Sequence, residues 1–235
     1  EELFCANRGQ IACVIVEPVA ANMGVVPPAA GFLQGLRRLC DEHGALLIFD
    51  EVITGFRIAW GGAAEYYRVT PDLAAYGKIV GGGMPLAVYG GRRDVMSLVA
   101  PLGGVYQAGT LAGNPVATAA GLAMLRCLRE QKDTLYPALE QKAAALEAAF
   151  RAEGVPVGRV GSVLTPFFAP AAPQNFSQAA SCDTRAFAAY FKAMLAQGIY
   201  VAPSQFEAMF VSAAHSDEDI ARTVRAIGAA CRAAK

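Results

Sequence analysis

Apolar and polar residues follow one another in blocks that predict short buried strands separated by helices. Residues 45–49 are an unbroken apolar run that stops at two carboxylates, Asp50 and Glu51. Such a run is typical of a strand in a parallel sheet, which is buried on both faces. Residues 31–43 before it have apolar positions at helical spacing, and residues 11–16 form an earlier apolar run. This order predicts a strand–helix–strand unit with a right-handed crossover.

The order of predicted strands and helices changes near residue 131. Before this point, residues 73–76 and 86–89 predict further strands, and Asn114-Pro115 predicts a helix that runs to about residue 130. After it, residues 131–153 predict a helix broken at Pro137, followed by a second group of elements. These are strands at 155–160, 163–168, 199–201 and 209–211 and helices that begin after Asp183 and Ser216. The sequence therefore predicts an α/β chain, with part of a large parallel-sheet domain over 1–130 and a small α+β domain over 131–235.

Two reactive side chains lie where such a fold places a ligand. In open α/β sheets ligands bind beyond the carboxyl ends of the strands, and Asp50 comes directly after the apolar run. Lys78 closes a second apolar stretch and is followed by glycines at 81–83, a setting that favours a nucleophilic amine. Pyridoxal phosphate needs this pair, an acid for its ring nitrogen and a lysine for its aldehyde. Val52 points the same way as Asp50 in an extended chain and is placed to pack on a ring.

Each of these residues also has a plainer interpretation. Asp50 could cap a helix or pair with an arginine such as Arg57, as strand-end aspartates often do. Lys78 could be a solvated loop residue, as lysines before glycines often are. Val52 fits ordinary core packing. An apolar strand that ends in Asp-Glu also resembles the Mg²⁺-binding strand of P-loop NTPases. That class needs the motif G-x-x-x-x-G-K-[ST] as well, and the 235 residues do not contain it.

A glycine-punctuated loop at 105–114 is a candidate phosphate-binding segment. It carries Gly109 and Thr110 just before the predicted helix start. Backbone N–H groups and a hydroxyl that converge near a helix N-terminus bind anions well. Taken alone the signal is weak, because most Gly-Thr loops bind nothing.

Composition narrows the function further. The chain is 54% hydrophobic and has 20 basic and 20 acidic residues, so there is no electrostatic case for a nucleic acid or a membrane surface as partner. No apolar run reaches the roughly 20 residues of a membrane span. The six cysteines form no C-x-x-C pair and there are two histidines, a pattern that predicts reduced thiols in a cytoplasmic protein and no metal site.

Several stretches of the sequence resemble the class III pyridoxal-phosphate-dependent aminotransferases, and within them the aminomutase branch. The Asp-Glu-Val and Gly-Lys stretches mark the class, and the others narrow it to the branch. The stretches are VIVEPVAANMGVVPP at 14–28, LIFDEVITGFR at 47–57, GKIVGGGMP at 77–85, VYQAGTLAGNP at 105–115, and PSQFE at 203–207 with Ala214-His215.

The resemblance implies a fold-type I enzyme and a role for each matching residue. Lys78 would hold the cofactor and move protons, Asp50 would pair with the pyridine nitrogen, and Val52 would pack on the ring. Gly109 and Thr110 would bind the phosphate, Thr110 that of the partner subunit in a homodimer. Glu207 would contact the substrate. Ala21 and Ala112 depart from the family pattern, where glycine and serine are expected.

The implied reaction is an isomerisation by intramolecular amino transfer. It converts glutamate-1-semialdehyde into 5-aminolevulinate for tetrapyrrole biosynthesis, with the pyridoxamine phosphate form of the cofactor in the cycle. The 235 residues are a little over half of a usual family member, so we expect a missing front segment and an inactive chain when it is made alone. Two other hypotheses stay open: a class III aminotransferase acting on another amino compound, and a non-catalytic fragment or pseudo-subunit.

Overall fold

The computed structural model describes residues 1–234, which form two compact units. The first unit consists of Glu1–Pro18 and Ala30–Lys132, and the second joins Val19–Ala29 to the residues from Asp133 onward. The second unit is therefore discontinuous in sequence.

A four-stranded mixed sheet organises the first unit. Its strands, in spatial order, are β1 (Cys13–Val16), β2 (Leu46–Glu51), β3 (Leu73–Tyr76) and β4 (Val88–Gly91). The first three run parallel, as predicted for buried apolar runs joined by helices, and β4 is antiparallel to β3. The predicted α/β fold is confirmed. The helices are α1 (Glu2–Ala6), α2 (Phe32–His43), α3 (Gly62–Tyr67), α4 (Arg93–Met96) and the first part of α5 (Pro115–Ala152), with a 3₁₀ helix at Lys78–Gly81.

Helix α2 packs its apolar face on one side of the sheet. Its buried residues Leu33 and Cys40 belong to the same core cluster as Leu47 and Phe49 of β2. Gly44 ends the helix in the left-handed conformation, with φ 67°, which suits a residue without a Cβ. The chain then enters β2, whose carboxyl end carries the candidate acid.

A buried carboxylate joins three elements of the first unit. Asp72, 7% exposed and directly before β3, accepts hydrogen bonds from Leu47 N at 2.7 Å, from Arg37 Nη1 at 2.7 Å and from Arg92 Nη1 at 3.1 Å. Burial alone raises the pKa of an aspartate. The hydrogen bonds, that from Leu47 first, outweigh this effect and hold the pKa of Asp72 below its ordinary value of 3.8.

We expect Asp72→Asn to lower the free energy of unfolding by about 2 kcal/mol at neutral pH, because it replaces charge-assisted hydrogen bonds in a buried setting. Since the folded pKa is lowered, the stabilisation is fully present above the unfolded value of 3.8 and is lost as pH falls through the folded value. Urea unfolding should therefore show equal differences at neutral and mildly acidic pH, and a smaller one only below about pH 3.8.

Asp94→Asn is the matched control for Asp72. Asp94 also pairs with Arg92, but its side chain is 65% exposed. Exposed ion pairs contribute little, so we expect a much smaller loss of stability. Equal losses in the two variants would contradict the proposed role of the buried carboxylate.

The second unit packs helices against a three-stranded antiparallel sheet. The strands are β5 (Val157–Val160), β6 (Val163–Pro166) and β7 (Met209–Phe210), in that spatial order. The helices are the second part of α5, α6 (Phe176–Ala180), α7 (Thr184–Ala196) and α8 (Asp217–Ala233). The predicted N-caps Asp183 and Ser216 both accept hydrogen bonds from the first turn of their helices. None of the described helices combines the length and apolarity needed to cross a membrane.

Two expectations from the sequence were wrong in this region. Helix α5 runs unbroken through Pro137. A proline there lacks its N–H and crowds the preceding turn, but Leu146 and Phe150 bury one face of the helix in the core of the unit, and this packing outweighs the local cost. Residues 199–201 form no strand. The side chain of Val201 is buried in the same core without any pairing of the backbone.

Candidate active site

The alternation of side chains along β2 separates its two carboxylates. Leu47, Phe49 and Glu51 are buried, whereas Asp50 is on the other face of the sheet and is half-buried. Its Oδ1 accepts a hydrogen bond from Val52 N at 3.1 Å. Asp50 thus stands at the carboxyl end of a parallel strand with its carboxylate partly accessible, where this kind of sheet binds ligands.

Lys78 lies just beyond the end of the neighbouring strand in an unusual backbone conformation. Strand β3 ends at Tyr76, Gly77 is extended, and Lys78 has φ 51° at the start of the 3₁₀ helix. A left-handed conformation is costly for a residue with a side chain and persists only where the surroundings enforce it. The exposed Lys78 side chain is therefore aimed by a strained turn, a feature often found at functional sites.

Close packing on helix α5 holds this turn in place. A Cβ added at Gly82 would lie 2.8 Å from Ala120 O, and one added at Gly121 would lie 2.5 Å from Val80 O. Both distances are too short for a side chain, so the glycines let the turn after Lys78 lie directly on the helix. The glycines at 81–83 thus serve packing and backbone conformation.

Strand pairing brings the two candidate residues to one edge of the sheet. Strands β2 and β3 are parallel neighbours, with Asp50 opposite Ala75. A Cβ added at Gly77 would lie 3.2 Å from Val52 Cγ1, so Val52 packs against the residue that precedes Lys78. Asp50, Val52 and Lys78 therefore gather at adjoining strand ends.

The other candidate residues lie on separate segments. Gly109 and Thr110 are exposed in the loop between α4 and α5. Asn114 at the end of that loop caps α5, since its Oδ1 accepts from Val116 N and Ala117 N at 3.1 Å each. Glu207 belongs to the second unit and has an exposed side chain.

Nearly the whole chain matches a known protein family. Residues 1–230 match the family described as aminotransferase class-III. The chain belongs to the class III aminotransferases. Asp50 and Lys78 both lie within the matched residues.

Proteins named glutamate-1-semialdehyde 2,1-aminomutase are among the relatives of this class III chain. That of Desulforamulus reducens is 55% identical over 245 residues, which cover 100% of the chain and 55% of the relative. That of Citrifermentans bemidjiense is 53% identical over 230 residues, which cover 95% of the chain and 53% of the relative. The chain thus spans about half the length of the curated relatives it matches.

Solved structures of an aminotransferase and of an aminomutase have the same fold. A β-phenylalanine aminotransferase from Variovorax paradoxus superposes with a TM-score of 0.89 at 34% identity, covering 97% of this chain and 54% of that one. A glutamate-1-semialdehyde aminomutase from Pseudomonas aeruginosa PAO1, in complex with PMP, superposes with a TM-score of 0.86 at 29% identity, covering 99% and 55%. The predicted fold-type I architecture is confirmed.

Glu51, next to Asp50, has a structural role at the candidate site that its sequence pattern alone did not predict. Its buried carboxylate accepts hydrogen bonds from Thr54 Oγ1 at 2.9 Å, from Ala63 N at 2.6 Å and from Ala64 N at 3.1 Å. Burial raises the pKa of Glu51, and these hydrogen bonds offset part of the rise. Glu51 therefore fixes the start of α3 and the loop after Val52. The burial of Glu51 could have been predicted from the sequence, because Glu51 alternates along the strand with Leu47 and Phe49 and therefore lies on the same face.

Proposed function

We propose that this chain supplies the cofactor-binding lysine and acid of a pyridoxal-phosphate-dependent aminomutase that converts glutamate-1-semialdehyde into 5-aminolevulinate. The observation that carries the proposal is the grouping of Asp50, Val52 and Lys78 at adjoining strand ends in a class III chain. The choice of substrate is supported by the names of relatives that are more than half identical to it.

The residues present fit the cofactor chemically. The Lys78 amine, held outward by its strained turn, would attach the cofactor and carry a proton between the two carbons that exchange the amine. Asp50, with one oxygen engaged by Val52 N, would keep the ring nitrogen protonated. Val52 would pack on the ring face. When bound, the cofactor supplies an electron sink that stabilises negative charge on the substrate.

The candidate residues outside the strand ends would bind the cofactor phosphate and the substrate. Gly109 and Thr110 would bind the cofactor phosphate, Thr110 that of the second subunit in a homodimer. The exposed position of their loop leaves the backbone N–H groups and the hydroxyl accessible to a neighbour. Glu207 would contact the substrate.

The direct test uses a protein of the relatives' full length that contains this chain. We expect it to form 5-aminolevulinate from glutamate-1-semialdehyde and pyridoxamine phosphate, without an added amino donor, far above the uncatalysed rate. A class III enzyme for another amino compound would instead require an amino donor and release its keto product in equal amount. A protein that forms no 5-aminolevulinate and binds no pyridoxal phosphate would favour the non-catalytic alternative.

Sharing of the site between subunits predicts a specific complementation result. Thr110→Ala should weaken cofactor binding about tenfold or more, because a charge-assisted hydrogen bond to the phosphate is lost. In a dimer of one Thr110→Ala subunit and one Lys78→Ala subunit, purified with two different tags, one site is intact and the other doubly damaged. We expect such dimers to show about half the wild-type activity at limiting cofactor.

The control dimer pairs a wild-type subunit with a subunit that carries both substitutions. It contains the same substituted residues, but each of its sites lacks either Lys78 or the neighbour's Thr110. We expect much lower activity from it at limiting cofactor. If the control dimer is the more active of the two, Thr110 acts within its own subunit. If the two kinds of dimer are equally active, Thr110 has no role.

A further inference from the structure

The segment Val19–Ala29 packs inside the second unit beside the loop that carries Glu207. Gly24 N donates a hydrogen bond to Phe206 O at 2.8 Å. Gly24 has φ 75°, and a Cβ there would lie 2.6 Å from the ring of Phe167. Only glycine lets the segment approach the sheet this closely, so its backbone can hold the 203–207 loop.

One buried hydroxyl connects the two loops. Thr165, in the central strand β6, is 1% exposed. Its Oγ1 accepts a hydrogen bond from Val25 N at 3.1 Å and donates one to Glu207 O at 3.4 Å. Burying a hydroxyl is costly unless it is hydrogen-bonded. A valine would fill the same space without that cost, so the hydroxyl of Thr165 is best explained by the bridge it makes.

The backbone of the Glu207 loop is fixed from several sides. Glu207 N donates to Ser204 O at 3.1 Å, and Phe206 N donates to Ser204 Oγ at 3.2 Å. The ring of Phe206 stacks on that of Phe176, with centroids 6.3 Å apart. The Glu207 side chain is nevertheless exposed. The loop therefore presents a free carboxylate from a held backbone.

We propose that Thr165 is a positioning residue for Glu207, acting through the hydroxyl bridge to Val25 and the Glu207 carbonyl. The functional part of this inference rests on the proposed role of Glu207 in substrate binding. A side chain whose backbone is already ordered loses less entropy when it binds a ligand. Thr165 would thus lower the KM for substrate without touching the substrate.

The test compares Thr165→Val with Thr165→Ser in a protein of the relatives' full length. Valine keeps the shape and removes the hydroxyl, whereas serine keeps the hydroxyl. We expect Thr165→Val to raise the KM for glutamate-1-semialdehyde about fivefold, the effect of one hydrogen bond, with a much smaller change in kcat. Thr165→Ser should have nearly the wild-type KM because it keeps the hydroxyl. If Thr165 served packing alone, serine, which lacks the methyl group, would be the worse replacement.

Hydrogen exchange provides a readout that needs no substrate. We expect Thr165→Val to speed amide exchange in the peptide covering 203–207 and at Val25, whose N–H loses its acceptor, and to leave the rest of the second unit unchanged. Ser162→Ala is the matched control. Ser162 is 2% exposed, and its hydroxyl has no hydrogen-bond partner among the described residues, so its removal should change neither KM nor exchange at 203–207.

The two readouts separate this inference from the proposed function. Equal exchange at 203–207 in Thr165→Val and Ser162→Ala, or equal KM values for Thr165→Val and Thr165→Ser, would overturn the positioning role. If Glu207→Gln leaves the KM unchanged, the substrate role of Glu207 fails instead. The exchange result then still decides whether Thr165 holds the loop.

Discussion

Replacement of Lys78 by alanine is expected to abolish amino transfer, with a loss of about 10⁴-fold or more in kcat, because one side chain both attaches the cofactor and moves the proton. Alanine accepts φ 51° at much the same cost as lysine, since both carry a Cβ. The turn should therefore keep its shape, and the loss would report chemistry and not folding. Activity assays with equal cofactor loading check the result.

Labelling tests the same assignment without turnover. Borohydride reduction of the wild-type protein with pyridoxal phosphate, followed by peptide mapping, should place the label on Lys78. The control is Lys132→Ala, which removes an exposed lysine of the first unit and should change neither labelling nor activity. A stable label on any other lysine would contradict the assignment.

Asp50→Asn is expected to lower turnover by about two to four orders of magnitude, a barrier increase of about 3–5 kcal/mol. Asparagine keeps the size of the side chain and can still accept the hydrogen bond from Val52 N. It cannot keep the ring nitrogen protonated, so the electron sink is weakened. Cofactor binding should be largely preserved, which separates this effect from a simple loss of affinity.

The measurement is kcat under saturating cofactor, with cofactor content read from its absorbance. Asp41→Asn serves as the control, because Asp41 is an exposed carboxylate on α2 that pairs with Arg37. We expect that variant to turn over normally. Near-normal turnover in Asp50→Asn would reject the role proposed for Asp50.

Local patterns were enough to predict most of the elements and to place Asp50 and Lys78 at the ends of strands. The apolar run before Asp50 predicts a strand whatever the rest of the chain does, and Asn114-Pro115 defines a helix start through contacts within one turn. Lys78 was predicted as a candidate because its neighbours in sequence are apolar residues and glycines. These features depend on interactions between residues close in the chain.

Features that depend on contacts between residues far apart in the chain could not be predicted from the sequence. The bridge from Thr165 to Val25 spans 140 positions, and nothing near Thr165 in the sequence marks its hydroxyl as shared. Asp72 resembles an ordinary turn residue until its contacts with Arg37 and Leu47 are seen. The break expected at Pro137 failed for a related reason, because tertiary packing of α5 overrides the local preference of proline.

Because the second unit is discontinuous in sequence, chimeras between this chain and a related chain need more than one junction. The chain passes between the two units after Pro18, after Ala29 and again after Lys132, so no single crossover point exchanges the second unit as a whole. A chimera joined only at residue 133 would combine Thr165 and Gly158 from one parent with residues 19–29 from the other. Any side chain larger than hydrogen at position 158 would collide with Val25 O. Functional chimeras should therefore inherit residues 19–29 and the segment from residue 133 onward from the same parent.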